Sequence, residues 1–181
     1  MKTREMVAAA MFAALTAILA QISVPLPFSP VPITFQVLAV CLAAAILGSR
    51  LGALSQLIYV VMGAIGMPVF AGGTSGLQRL AGPTGGYILS YIIAAFIIGI
   101  IVEKFRPALI NTFLAMLAGL VIIYAMGMTQ LSIVTGMDLK AAFMAGVAPF
   151  IGMDIIKIAA GSYVAYSVRT VLLKQKLLSA K

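Results

Sequence analysis

The chain has 181 residues, 63% of them hydrophobic and only 9% charged, against roughly 25% charged in ordinary soluble domains. That composition excludes a hidden water-soluble domain. At about 20 apolar residues per spanning helix, the length accommodates roughly six or seven spans with short connections and no appended catalytic module.

In chain order, a basic start from Met1 to Glu5 runs into a long apolar stretch, expected to be a first span and not a cleaved signal. Apolar runs bounded by breakers give six candidate spans, at 6–24, 33–48, 51–69, 86–102, 107–125 and 149–168. The first carries Ala8, Ala9, Ala10, Ala13, Ala14, Ala17 and Ala20, small residues at four-residue spacing that allow a second helix to approach closely. That second helix can belong to the same bundle or to a partner.

The connections alternate in character. Segment 24–32 holds Pro25, Pro27, Pro30 and Pro32 and is expected to be stiff and extended. Segment 70–86 is rich in glycine, with Gly72, Gly73, Gly76, Gly82, Gly85 and Gly86. Both are apolar enough to lie at membrane depth, where irregular backbone survives only when buried in protein or lining a cavity, so together they are expected to cover a site. Segment 127–148, with Asp138 and Lys140, suggests at most a short interfacial helix. Of the twelve lysines and arginines, nine (Lys2, Arg4, Arg50, Lys104, Arg106, Arg169, Lys174, Lys176 and Lys181) fall on one side of this topology, only Arg79 and Lys140 on the other, and Lys157 within a span. The positive-inside bias then puts both termini in the cytoplasm and the proline and glycine loops outside.

Chemistry has few carriers. There is no histidine, the four carboxylates include only one within a span, and Cys41 lies alone in an apolar run as a small buried hydrophobe. Metal clusters, histidine-based nucleophilic sites and an internal disulfide lack their residues, and neither catalysis nor ATP hydrolysis is expected of this chain. Any energy must come from a partner or a gradient.

Asp154 and Lys157 are the opposite charges within a span, three residues apart and so on one helical face. With Pro149 in the first turn, they lie about 7 and 12 Å below the outer boundary. Each charge costs at least ~2.5–3.5 kcal/mol at a helix centre, so the pair either locks the bundle or forms a polar floor for a ligand. Arg79 either offers a cation to a ligand carboxylate or stands as a solvated loop arginine or one holding a lipid phosphate. The turn Gly82-Pro83-Thr84-Gly85-Gly86-Tyr87, at a helix start, either offers free N–H groups to an anion or is only a tight connection, and it lacks the GxxxxGK[ST] pattern of a phosphate loop.

Three stretches carry a family likeness: Pro30-Val31-Pro32-Ile33-Thr34-Phe35-Gln36; Gly63-Ala64-Ile65-Gly66-Met67-Pro68-Val69-Phe70-Ala71-Gly72-Gly73 continuing to Gly82-Pro83-Thr84-Gly85-Gly86-Tyr87; and Pro149-Phe150-Ile151-Gly152-Met153-Asp154-Ile155-Ile156-Lys157. With them, nearly the whole chain resembles BioY, the biotin-binding S component of energy-coupling factor (ECF) transporters. Met153 departs from the glycine expected before the aspartate.

The resemblance implies an all-α membrane protein of six transmembrane helices, with residues 1–181 forming one substrate-binding domain in the cell membrane. It implies biotin as the ligand, a transmembrane coupling protein and two ATPase subunits as partners that use the ATP, and no cofactor or nucleic acid bound by this chain. The substrate candidates are Asp154, Lys157, Arg79, Gly82, Pro83, Thr84, Gly85, Gly86, Tyr87, Thr34, Gln36 and Gly73, and Ala9, Ala10, Ala13 and Ala14 are the expected partner face. The two N–H groups and carbonyl of a ureido ring match Asp154 and Lys157, while Arg79, the 82–87 turn and Lys157 all remain open as holders of the carboxylate. An S component for another vitamin, a solitary transporter, a lipid head-group enzyme and a small pore are the competing readings.

Overall fold

The computed structural model describes residues 3–175; Lys2, Lys176 and Lys181 of the charge tally lie outside them. The chain is mostly helical, with α1 (Thr3–Gln21), α2 (Gln36–Leu47), α3 (Ser49–Ala64), α4 (Leu77–Ala81), α5 (Gly85–Lys104), α6 (Leu109–Thr135), α7 (Leu139–Gly146) and α8 (Ala148–Lys174). Among the described residues, α1, α5, α6 and α8 are long and apolar enough to cross a membrane. At 12 and 16 residues, α2 and α3 fall short of the usual length.

The shortness of α2 has a reason in its sequence. Its run from Gln36 to Leu47 is apolar nearly all round, the mark of a helix enclosed by others, and ten of its twelve residues are buried. It packs on α8, α5, α3 and α1, and small residues such as Ala39, Ala43 and Ala44, each fully buried, let those helices close around it. The apolar side chains that stay exposed, among them Met11, Ile18, Val61, Ile93, Phe96 and Val121, are scattered over the outer helices, as a surface solvated by lipid requires.

The proline-rich segment is extended, as expected, but it also pairs with itself. Strands β1 (Ser23–Leu26) and β2 (Ser29–Thr34) form an antiparallel hairpin, so the fold is not purely helical. Its register is irregular between Val24 and Leu26, at Pro25, which has no N–H to donate. Pro149 opens α8 as expected. The fifth apolar run continues as helix to Thr135 instead of ending near 125, because Gly127, a loop residue by its sequence context, lies inside α6 where only a bare Cα clears the Tyr87 ring. Asp138 is the N-cap of α7, its Oδ1 accepting the Ala141 N–H at 2.8 Å.

One end of the bundle is tied by charged side chains. Glu103, near the end of α5, accepts the Ser49 N–H and hydroxyl at 2.8 Å each and so caps α3. Arg169 donates to the Ala45 and Ile46 carbonyls at the end of α2. Gly99 allows this closeness, since a Cβ on it would overlap the main chain of Ser49 and Gly48. Gly99→Ala is therefore expected to destabilise the fold by about 1–3 kcal/mol or more through overpacking, seen as a lowered thermal midpoint in detergent. An unchanged midpoint would mean that α3 and α5 can separate freely.

Candidate functional site

At the opposite end, the hairpin, the loop after α3, α4 and the starts of α2, α5 and α8 surround a cleft lined mainly by apolar and aromatic residues with a few polar ones among them, the make-up of a small-molecule site. Its floor is built on α8. Asp154 and Lys157 are 4% and 7% exposed, one turn apart, with Lys157 Nζ 2.9 Å from Asp154 Oδ1. The pair is bonded to the rest of the fold: Tyr124 of α6 donates its hydroxyl to Asp154 Oδ2 at 2.8 Å, and Lys157 donates to the Thr34 carbonyl at 2.7 Å. Lys157 Nζ also lies 5.0 Å from the centre of the Phe35 ring, a cation–π contact.

The walls are apolar and aromatic, from Val31 and Pro32 on the hairpin, Val37 on α2, Phe70 and Ala71 on the loop, Tyr87, Ile88 and Tyr91 on α5, and Ile123 and Phe150. Phe70 is clamped from below. Its ring meets Tyr59 edge-on at 5.6 Å and covers Gly63, where any Cβ would strike it. Tyr59 accepts a hydrogen bond from Gln36 Nε2 and donates its own hydroxyl to the Val69 carbonyl. Arg79 and Thr84 line another part of the cleft. The Thr84 hydroxyl is buried without a hydrogen-bond partner, a costly state that a bound polar group would relieve. Asp154 is the only carboxylate among the lining residues, so the cleft balances it with two cations.

Of the residues expected at a site, Asp154, Lys157, Arg79, Thr84, Tyr87, Thr34 and Gln36 line this one cleft. The others do not. Gly73 is exposed and turned to Gln21, its N–H donating to the Gln21 side chain. Gly82 and Pro83 lie outside the lining, and Gln130 of α6 fastens their turn by donating to the Leu80 and Gly82 carbonyls at 2.7 and 2.9 Å. Gly85 and Gly86 serve packing, because a Cβ on Gly85 would overlap the Leu80 carbonyl and one on Gly86 would stand 2.5 Å from that of Met126. Their bareness brings α5 against α4 and α6, and the Gly85 N–H is bonded to the Gly82 carbonyl at 3.1 Å. Tyr87 lends its ring, and its hydroxyl donates to the Gly146 carbonyl at 2.8 Å.

Tyr124, Tyr91, Phe150 and Phe70 have no distinguishing sequence signal, since an aromatic residue in an apolar run reads as core or lipid-facing surface. The alanine face divides as well. Ala9 and Ala13 are 0% and 1% exposed and belong to the bundle interior, so they are withdrawn from the expected partner face, while Ala10 and Ala14 are exposed.

Comparison with known proteins points in one direction. The sequence model of the BioY family matches residues 1–174. The chain is 46% identical over 165 residues to a probable biotin transporter BioY of Pyrococcus horikoshii, covering 91% of this chain and 96% of that one. It is 41% identical over 162 residues to the biotin transporter BioY of Thermotoga maritima, covering 90% and 94%. Its fold is similar to the crystal structure of the S-component for biotin from an ECF-type ABC transporter, with a TM-score of 0.87 and 25% identity over 94% of this chain and 95% of the other.

Proposed function

The chain belongs to the BioY family, and from that premise we propose that it captures biotin in the cleft above Asp154 and Lys157 and serves as the S component of an ECF transporter. It is a multi-pass membrane protein and a transporter component, not an enzyme. The proposal is that residues 1–181 act as one substrate-binding domain in the cytoplasmic membrane, with six helices crossing and both termini inside. Its partners are a transmembrane coupling protein and two ATPase subunits.

The cleft lies at the end of the bundle away from the tied ends of α2, α5 and α8. Arg50 in the first turn of α3, Lys104 at the end of α5, Arg106 in the loop after it, and Arg169 and Lys174 in the last two turns of α8 all lie at that tied end. The positive-inside rule then turns the cleft outward.

The observation that carries the ligand assignment is the bonding at Asp154 and Lys157. Lys157 has three donors; one goes to Asp154 and one to Thr34, leaving one for the ureido oxygen. Asp154 accepts from Lys157 and Tyr124 on different oxygens, so each oxygen keeps a lone pair for a ureido N–H. The aromatic walls suit the thiophane ring and valeryl chain. Arg79 and the unpartnered Thr84 hydroxyl suit the carboxylate, which leaves Lys157 to the ureido group.

The purified chain in detergent, without ATP or partners, is expected to bind biotin at one per chain and to gain thermal stability as RT ln(1 + [L]/Kd) dictates. Titration calorimetry across a vitamin panel checks this. No heat and no protection with biotin, or preference for another vitamin, would overturn the assignment.

A further inference from the structure

We propose that Gln21, the last residue of α1, is a positioning residue that holds the loop closing the biotin cleft and thereby ties that loop to α1. The biotin part of this proposal rests on the function assigned above. One side-chain amide makes the tie. Its Nε2 hydrogens reach the Val69 and Phe70 carbonyls at 3.3 Å each, sharing one hydrogen between acceptors, and its Oε1 accepts the Gly73 N–H at 3.0 Å, an N–H that the Phe70 carbonyl also receives at 3.1 Å. A further bond from Nε2 to the Ala17 carbonyl at 3.0 Å seats the side chain on its own helix.

The loop has two anchors of different kinds. From beneath, α3 holds it by the Tyr59 hydroxyl on Val69, the Phe70 ring on Gly63 and the Gly76 N–H on the Gly63 carbonyl at 2.7 Å. Tyr59, Phe70, Val69 and Gly63 are buried and belong to the core, while Gly76 is half-buried. From the side it is held by Gln21, an exposed residue whose bonds to the Val69 and Phe70 carbonyls are part-buried and whose bond to Gly73 is open to water, so this anchor is the weaker of the two and the one that can release. Phe70 and Ala71, the loop residues lining the cleft, lie between Val69 and Gly73, the outer points that Gln21 grips.

The position of Gln21 on α1 adds a second consequence. At 3.6 residues per turn it lies within about 20° of both Ala10 and Ala14 around the helix axis, and those two alanines are exposed. A protein seated on that stripe would abut the side chain through which α1 bonds the loop.

Gln21→Leu removes all three loop bonds at similar volume on an exposed position, and Gln21→Glu keeps only the acceptor for Gly73. In the leucine variant of the full chain, biotin dissociation measured by radiolabel chase is expected to be about tenfold faster, with association within about twofold. The glutamate variant should fall between. Without biotin, hydrogen exchange at the Phe70 and Gly73 amides should speed up at least about tenfold. Unchanged exchange would overturn the tie, and faster exchange with unchanged dissociation would overturn its role in holding biotin. If the parent chain binds no biotin, the assigned function fails, while the exchange arm still decides whether Gln21 holds the loop.

Discussion

Asp154→Asn combined with Lys157→Met is expected to leave the chain folded and to weaken biotin binding at least about a thousandfold, or ~4 kcal/mol. Single changes cannot separate binding from stability, because stripping one partner from a buried pair strands the other charge at roughly 3–5 kcal/mol. The double change removes both charges at similar volume. The introduced amide keeps an acceptor for the Tyr124 hydroxyl, and the main loss to the fold is the charged Lys157 bond to the Thr34 carbonyl, worth about 1.5–3 kcal/mol. Biotin loses much more. Its ureido group would be desolvated against an amide and a thioether, with one polar atom left unanswered on each side. Thermal unfolding reports the fold and calorimetry the affinity. A folded double variant that binds biotin as tightly as the parent would mean that the pair only locks α8 to α6 and the hairpin.

The ion pair is legible in the sequence because cost makes it so: an unneeded charge within a span is expensive, and the sequence contains one Asp-x-x-Lys there. Its helical spacing already puts both groups on one face, and the structure adds the Tyr124 and Thr34 bonds that distant parts of the chain supply. Those bonds cross 30 and 123 residues, and no local pattern encodes such a pairing. The proline segment is legible as extended, since four fixed φ angles leave little else, but the β1–β2 pairing depends on a register that alternation alone does not set when prolines recur this densely.

The glycines mislead for a physical reason. Bare backbone permits a tight turn, an anion cradle or close helix packing, and the residue alone does not say which. Gly85 and Gly86 turn out to serve packing, through neighbours at Leu80 and Met126 that only the folded chain brings near. Gly127 looks like a breaker in the sequence and is instead the point where α6 receives the Tyr87 ring. The alanine stripe of α1 is ambiguous in the same way: spacing gives a small face, but Ala9 and Ala10 differ by about 100° around the helix, enough to send one inward and the other out.

That division makes the remaining prediction sharp. Ala10→Trp or Ala14→Trp is expected to abolish assembly with the coupling protein and ATPase subunits, at least about a hundredfold in recovered complex, while biotin binding by the isolated chain stays within about twofold. Both positions are exposed and one turn apart, so an indole there meets lipid in the free chain and costs the fold little. Close helix approach tolerates no such bulk. Ala13→Trp is the internal contrast. Ala13 is 1% exposed, and an indole there must displace the α1 packing against α3 and α2, where the Gln56 side chain also bonds Thr16 of α1; it should lower the thermal midpoint and biotin binding together. Co-purification of the tagged chain with its partners reads the first effect, and calorimetry with thermal unfolding the second. Undiminished co-purification of both exposed variants would assign the outer stripe of α1 to lipid and place the partner contact on another face of the bundle.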